Sequence, residues 1–200
     1  MTKKEEWLAG TRSAVPIMLG YVPVGIAYGV MARQAGLNTW QTVLMSLTVY
    51  GGASEMMAAG MVAQGAAVLT IVLTTFILNL RHIIMSTCVF NQMQGGRLPV
   101  RMLAAFGVTD ETFAVYTTTA NAPRTPRYFF SMALCSYLSW ALGSWLGAIA
   151  TGLLPPLITA ALGISLYAMF IGLLMPGLHG NGRLAALVVL TALCNTVLCN

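Results

Sequence analysis

The chain has 200 residues, of which 58% are hydrophobic and 8% are charged, and its net charge is +5. Soluble domains carry about a quarter charged residues, so this composition excludes a soluble globular protein and indicates an integral membrane protein. The apolar runs are long and do not alternate, which favours helices over barrel strands. Because about 20 apolar residues span a bilayer, we predict an all-α integral membrane fold with about six transmembrane helices.

The net charge, the cysteine spacing and the absence of two enzyme motifs argue against several other functions. Excess basic residues in a membrane protein mainly set its orientation, and the sequence has no basic, aromatic surface of the kind that binds nucleic acid. The four cysteines lack metal-ligand spacing, and neither a Gly-x-Ser-x-Gly nor a His-Glu-x-x-His motif occurs. We therefore expect no metal, no cofactor and no catalytic residues.

The first predicted span covers residues 14–32 and follows an N-terminal tail, residues 1–13. Pro16 and Pro23 kink a helix because each removes a backbone donor. Gly25 and Gly29 form a small-xxx-small pair that lets another helix approach closely.

The second predicted span, residues 42–63, contains paired glycines, Gly51 and Gly52. Such a pair favours a helix break, and transporters use the N-terminus after a break to hold an anionic group. The alternative is a continuous helix whose glycines serve tight packing, and the sequence leaves both open. Glu55 in this run is expected to be protonated, paired with Arg81 or facing water.

The third predicted span, residues 66–90, carries an arginine well inside an apolar run. Arginine at that depth costs about 2.5–3.5 kcal/mol and usually faces protein or a water-filled path. At about 100° per residue, Thr75, Asn79 and His82 share one helical face, so we favour an interior position for Arg81. The alternative is a helix that ends just before Arg81, with Arg81 and His82 at the lipid headgroups.

A long connecting segment, residues 91–127, contains the sequence Thr109-Asp110-Glu111-Thr112. Thr109 or Asp110 suits a helix N-cap. Alternatively, the segment re-enters the membrane and brings Asp110 and Glu111 toward Arg81.

The second half of the chain resembles the first. Further spans are predicted over residues 128–153, 157–175 and 184–199, the last of them short. Gly143-xxx-Gly147 repeats the earlier glycine pair, and Tyr167 corresponds to Tyr50. Two groups of three spans, residues 14–90 and 128–200, must then have opposite orientations, which predicts inverted repeats with a substrate site near the midplane. The positive-inside rule does not settle the orientation of the N-terminus, because the tail and the loops argue in opposite directions.

Four motifs of this chain, taken in order, have the sequence and spacing of one known family. The motifs are Pro23-Val24-Gly25-Ile26-Ala27-Tyr28-Gly29, Gly51-Gly52-Ala53-Ser54, Asn79-Leu80-Arg81-His82 and Thr109-Asp110-Glu111-Thr112-Phe113. Together they resemble the AzlC family of branched-chain amino acid permeases. The resemblance implies a multi-pass protein of the bacterial inner membrane that exports valine, leucine and isoleucine, with a small hydrophobic partner subunit of the AzlD or YgaH type. Two features depart from the family pattern: glutamine is expected in most relatives where this chain has Glu55, and the family is usually somewhat longer.

The substrate chemistry suggests roles for these residues. A zwitterion with an apolar side chain needs a cation or N–H groups for its carboxylate and an acid or carbonyls for its ammonium group. Arg81 and the glycine break would serve the carboxylate, and Asp110 or Glu111 would hold the ammonium group or carry a coupling proton. A buried carboxylate or His82 is the natural proton carrier. The predicted substrate-binding or coupling residues are Gly51, Gly52, Ser54, Glu55, Asn79, Arg81, His82, Asp110 and Glu111.

Two rival functions remain at this stage. One is a non-transporting scaffold subunit of a membrane complex, and the other is a solute channel. An intramembrane enzyme is disfavoured by the missing motifs.

Overall fold

A computed structural model describes residues 2–153 and 182–199, together with residues 155, 157, 161, 164 and 171. The chain divides into two compact units, residues 1–165 and 166–200. The described part is helical and contains no strand. Its helices are α1 (Lys3–Gln34), α2 (Thr39–Val49), α3 (Gly52–Ala63), α4 (Val68–Asn79), α5 (Arg81–Gln92), α6 (Leu98–Phe106), α7 (Asp110–Thr118), α8 (Pro126–Ala150) and α9 (Gly182–Cys199).

Three helical segments in the described part are long and apolar enough to cross a membrane: α1, the pair α4–α5, and α8. The predicted count of six spans is not confirmed. The second predicted span is two short helices, and the fifth, residues 157–175, lies almost wholly outside the described residues. The sixth is α9, whose apolar stretch Ala185–Cys194 is shorter than a span.

Helix α1 begins at Lys3, ahead of the start predicted at residue 14. Thr2 Oγ1 accepts a hydrogen bond from the Glu5 N–H, and Glu5 Oε2 accepts one from the Thr2 N–H. This capping box satisfies two donors that a helix start leaves unpaired. Pro16 and Pro23 lie inside α1 without ending it.

Helices α1 and α8 pack backbone to backbone through their two glycine pairs. Gly25 faces Gly143, and Gly29 faces Gly147. A Cβ atom on Gly29 would lie only 2.7 Å from the Ala148 nitrogen, so small residues are needed for this approach. Because residue numbers rise together along both helices, α1 and α8 are parallel. The prediction that the first and fourth spans have opposite orientations is therefore wrong. We call the side where both helices begin the N side and the side where they end the C side.

Adding one methyl group at this contact is expected to destabilise the fold. In Gly29→Ala the new Cβ meets helix α8 backbone, which cannot rotate away, so we expect a loss of about 1–3 kcal/mol. The matched control is Gly60→Ala in α3, where a Cβ meets nothing within 4 Å and alanine favours the helix. Thermal unfolding in detergent measures both variants, and equal unfolding temperatures would contradict the packing described above.

Helices α2 and α3 form a hairpin that enters from the C side and returns to it. The Tyr28 hydroxyl donates to the Thr42 carbonyl oxygen, and farther along α2 the Tyr50 ring lies 6.4 Å from the Tyr21 ring. The chain reverses there, so that Met45 of α2 and Ala58 of α3 line the same cavity. Of the two alternatives that the sequence left open at Gly51 and Gly52, the structure has the helix break, and the second predicted span turns back instead of crossing.

The reversal has a clear backbone origin. Tyr50 adopts the left-handed conformation, with φ 47° and ψ 49°, and Gly51 is extended. A left-handed conformation is uncommon for a bulky residue and persists only where packing enforces it. The rings of Tyr21, Tyr137 and Phe106 surround Tyr50 and supply that packing.

Helices α6 and α7 form a second hairpin, which enters from the N side. The hairpin starts beside Pro126 at the beginning of α8, because a Cβ on Gly96 would lie 2.6 Å from Pro126 Cγ. At the hairpin tip, the Phe106 ring lies 5.7 Å from the Tyr137 ring of α8. On the way back, the Tyr116 ring packs at 5.2 Å from Phe129, near the start of α8. The connecting segment therefore folds back to the side from which it came.

The two hairpins approach from opposite sides and meet at their tips. The rings of Tyr50 and Phe106 are stacked with centroids 6.0 Å apart. The pair α4–α5 runs between the hairpins from the C side to the N side, where the Gln94 N–H donates to the Arg124 carbonyl oxygen. A hairpin followed by a long helix thus occurs twice, in opposite directions; the predicted inverted three-helix repeats are not confirmed.

Candidate functional site

Three segments meet near the middle of the first unit and contain all of the predicted substrate-binding or coupling residues. They are residues 50–55 at the tip of the α2/α3 hairpin, residues 79–82 at the α4/α5 junction, and residues 109–111 at the tip of the α6/α7 hairpin. We call these three segments the tip cluster. The contacts below show how its members meet.

Asn79 joins the α4/α5 junction to the first hairpin. A Cβ on Gly51 would lie 3.2 Å from Asn79 Oδ1, so the amide lies directly against the helix break. Asn79 Oδ1 is buried, and among the described residues it has no hydrogen-bond partner. An unpaired buried acceptor costs about 1–3 kcal/mol, so Asn79 Oδ1 is a candidate for a contact with a ligand.

Arg81 joins the α4/α5 junction to the second hairpin. Its guanidinium lies 2.9 Å from Asp110 Oδ2, and the two side chains are 41% and 28% exposed. Helix α4 ends at Asn79 and α5 begins at Arg81, with Leu80 between them in the right-handed helical conformation, so the chain keeps a helical path past Arg81 to Gln92. His82 is the next residue of α5 and is partly buried.

Thr109 sets the position of the acidic pair. It is the N-cap of α7 and forms a capping box with Thr112, so the predicted cap is confirmed. The cap starts a helix at Asp110, which directs Asp110 to Arg81 and the next residue, Glu111, to α1. The segment is therefore capped and also brings Asp110 to Arg81, whereas Glu111, which was expected there as well, contacts Tyr21 of α1 instead.

Glu111 is 6% exposed and contacts the middle of α1. The Tyr21 hydroxyl donates to Glu111 Oε2 at 2.6 Å and lies 2.7 Å from Thr109 Oγ1. Tyr21 thereby fixes the second hairpin tip to a membrane-spanning helix. Glu111 is therefore a buried acid whose partner in α1 is a hydroxyl group and not a cation.

Glu55 is fully buried at the tip of the first hairpin. One carboxylate oxygen, Oε1, accepts hydrogen bonds from the Gly51 N–H at 2.9 Å and from Trp140 Nε1 at 3.2 Å. The Ser54 hydroxyl donates to the Gly51 carbonyl oxygen. Glu55 therefore occupies the position at the helix break where the sequence analysis placed a substrate carboxylate, and a substrate would have to displace it.

Aromatic rings line the tip cluster, and the sequence analysis did not select them. The Tyr21 ring lies 5.3 Å from Trp140, and the Tyr50 ring lies 4.9 Å from Tyr137. Tyr21 links the Glu111 side of the cluster to the Trp140–Glu55 side. The available signal was a tyrosine hydroxyl in the middle of an apolar span, which usually needs a partner when buried.

The fold and the tip cluster together define a polytopic helical membrane protein with ionisable residues at its centre, a pattern found in transport proteins. Comparison with known proteins agrees. The chain belongs to the AzlC family: the family model, described as AzlC protein, matches residues 16–154. No solved structure matches the chain.

The names of similar proteins support a membrane transport protein. The chain is 33% identical over 188 residues to an uncharacterized membrane protein of Archaeoglobus fulgidus, covering 93% of this chain and 82% of that protein. It is 30% identical over 179 residues to the inner membrane protein YgaZ of Escherichia coli, covering 84% and 72%. It is 27% identical over 157 residues to the branched-chain amino acid transport protein AzlC of Bacillus subtilis, covering 74% and 61%. The predicted family and the predicted membrane location are confirmed, and the chain has a membrane transport role.

Proposed function

We propose that the chain is a transporter subunit that exports the branched-chain amino acids valine, leucine and isoleucine in exchange for protons. The observation that carries the proposal is the tip cluster, which brings one basic and three acidic side chains together in an otherwise apolar bundle, with Glu55 and Glu111 buried and Arg81 and Asp110 partly exposed. Charged side chains at that depth are costly, and they mark substrate and proton paths. The name of the Bacillus subtilis relative supports the substrate class.

The Arg81–Asp110 pair has the charge pattern that a zwitterion needs. A substrate entering between the two side chains would give its carboxylate to Arg81 and its ammonium group to Asp110. Each protein charge would exchange one partner for another, so neither would be left unpaired during binding. An unpaired charge in the bundle is the costly alternative.

Glu111 is the proton carrier in this proposal. It is more deeply buried than Asp110 and bonds to a hydroxyl of α1, not to a cation. Its protonation would weaken or reverse the Tyr21 hydrogen bond, because a protonated carboxyl is itself a donor. A change of protonation would thus alter how the second hairpin is held against α1. His82 and Glu55 are the other candidate carriers.

We further propose that the chain acts with a small hydrophobic subunit of the AzlD type. The outward faces of α4 and α5 are apolar, with Leu73, Ile77, Ile83 and Ile84 exposed. Lipid and a hydrophobic partner are both compatible with such a face.

Valine efflux from loaded cells tests the proposed function. Cells would express this chain alone or with the AzlD-type protein from the same organism, each with and without a proton uncoupler. We expect efflux against a valine gradient when both subunits are present, and its loss on adding the uncoupler. Uphill efflux that the uncoupler leaves unchanged, or no efflux with both proteins detected in the membrane, would contradict the proposal; uphill efflux by the pair would also exclude a channel.

A further inference from the structure

Basic residues are distributed unequally between the N side and the C side of the first unit. The chain has 10 lysine and arginine residues. Arg81 is in the tip cluster, and Arg183 belongs to the second unit. Among the described residues of the first unit, Arg33 near the end of α1 is the one basic residue on the C side. The basic residues on the N side are Lys3, Lys4, Arg12, Arg97, Arg101, Arg124 and Arg127.

Contacts between α1 and α8 place the N-terminal tail on the N side. The Arg127 guanidinium, at the start of α8, lies 3.7 Å from Glu6 Oε2. The Tyr128 hydroxyl donates to Ser13 Oγ at 2.8 Å. The beginning of α1 as far as Arg12 is therefore level with the start of α8, and its basic residues lie at the membrane surface where α8 begins.

The two ends of the α6/α7 hairpin bring the other basic residues to the same surface. The Gln94 N–H donates to the Arg124 carbonyl oxygen, so the segment before α6 lies against the segment that precedes α8. The Arg101 guanidinium donates to the Phe90 carbonyl oxygen, which ties the start of α6 to the end of α5. The N-terminal tail and the connecting segment, residues 91–127, thus share one side of the membrane.

This arrangement removes the conflict between the tail and the loops that the sequence presented. A count of three spans between the tail and the connecting segment put their basic residues on opposite sides. In the structure α1 and the pair α4–α5 cross between them, whereas the α2/α3 hairpin turns back. The basic residues of the tail and of the connecting segment therefore argue for the same orientation. The acidic residues Glu5 and Glu6 contribute little to it.

We propose that the N side faces the cytoplasm, so that the α6/α7 hairpin occupies the cytoplasmic half of the bundle and the α2/α3 hairpin occupies the outer half. Lysine and arginine near the ends of spans are retained in the cytoplasm, where anionic headgroups of the inner leaflet attract them. The orientation does not depend on the proposed function, but the route that follows does. An exported amino acid would reach Asp110 and Glu111 past the α6/α7 hairpin and leave past Glu55 and the α2/α3 hairpin.

Two matched cysteine substitutions test the orientation. Gln64, in the turn between α3 and α4, lies on the C side, and Gln94, between α5 and α6, lies on the N side; both are exposed. Each is replaced by cysteine in a full chain whose four native cysteines have been replaced by alanine. Spheroplasts that express each variant are treated with a membrane-impermeant maleimide. We expect labelling of Gln64→Cys in intact spheroplasts, and labelling of Gln94→Cys only after the membrane is permeabilised.

The control is the permeabilised sample, in which both cysteines should be labelled to the same extent. Gln34→Cys at the end of α1 and Asn91→Cys near the end of α5 form a second matched pair, for use if either first variant is not found in the membrane. Labelling of the N-side cysteine in intact spheroplasts, alone or together with the C-side cysteine, would overturn the orientation. Because labelling requires no transport, a wild type that moves no valine would overturn the proposed function and leave the orientation standing.

Discussion

Replacing Arg81 with alanine is expected to abolish valine transport while folded protein remains in the membrane. Arg81 is the cation of the tip cluster and lies 2.9 Å from Asp110, so the substitution removes the group that would bind the substrate carboxylate. Breaking a fully buried ion pair costs about 3–5 kcal/mol, but these side chains are 41% and 28% exposed. The effect on stability should therefore be smaller than the effect on transport.

Two further variants separate transport from folding. Arg81→Lys keeps the charge but loses the planar fork that binds carboxylates with two hydrogen bonds, so partial transport is expected. Arg81→Ala combined with Asp110→Ala removes both charges and leaves neither unpaired. If the double variant folds better than Arg81→Ala and still does not transport, Arg81 has a role in binding. If the double variant restores transport, Arg81 served only to neutralise Asp110.

Replacing Glu111 with glutamine is expected to uncouple transport from protons. Glutamine keeps an oxygen that can accept the hydrogen bond from Tyr21, now 2.6 Å from Glu111 Oε2, so the hairpin tip should stay in place. Glutamine cannot exchange a proton at neutral pH. We expect valine to equilibrate down its gradient, whereas uphill efflux falls to the background of cells without the protein.

The control for this variant is Glu5→Gln. Glu5 is exposed, and glutamine can take its place in the capping box at the start of α1. Uphill efflux should be unchanged there. Uncoupler-sensitive efflux at the wild-type rate in Glu111→Gln would show that another group carries the proton, with Glu55 and His82 as the next candidates.

Much of the site was predictable because charges are scarce in this chain. Exposing a charged side chain to lipid is expensive. An arginine, a histidine and three acids in or near apolar runs therefore indicate a site that faces protein or water. That argument selected Arg81 and Asp110, which the structure brings together. It could not select Tyr21 or Trp140, because aromatic residues are ordinary in a membrane span.

The path of the chain was less predictable than its helices. Paired glycines at Gly51 and Gly52 left a helix break and a continuous helix equally open, and a break would fit either a kinked span or a hairpin. The choice depends on the left-handed Tyr50 and the rings packed around it, which are tertiary contacts between distant parts of the chain. Counting the hairpin as a span gave the wrong relative orientation for α1 and α8.

The most direct test of the account is proton movement in vesicles that contain the purified chain and its AzlD-type partner. The vesicle lumen carries a pH-sensitive dye, and a valine gradient is imposed across the membrane. We predict that valine flow changes the lumenal pH, and that Glu111→Gln abolishes this change while valine still equilibrates. Valine movement with no pH change in the wild-type complex would contradict proton-coupled transport through the tip cluster.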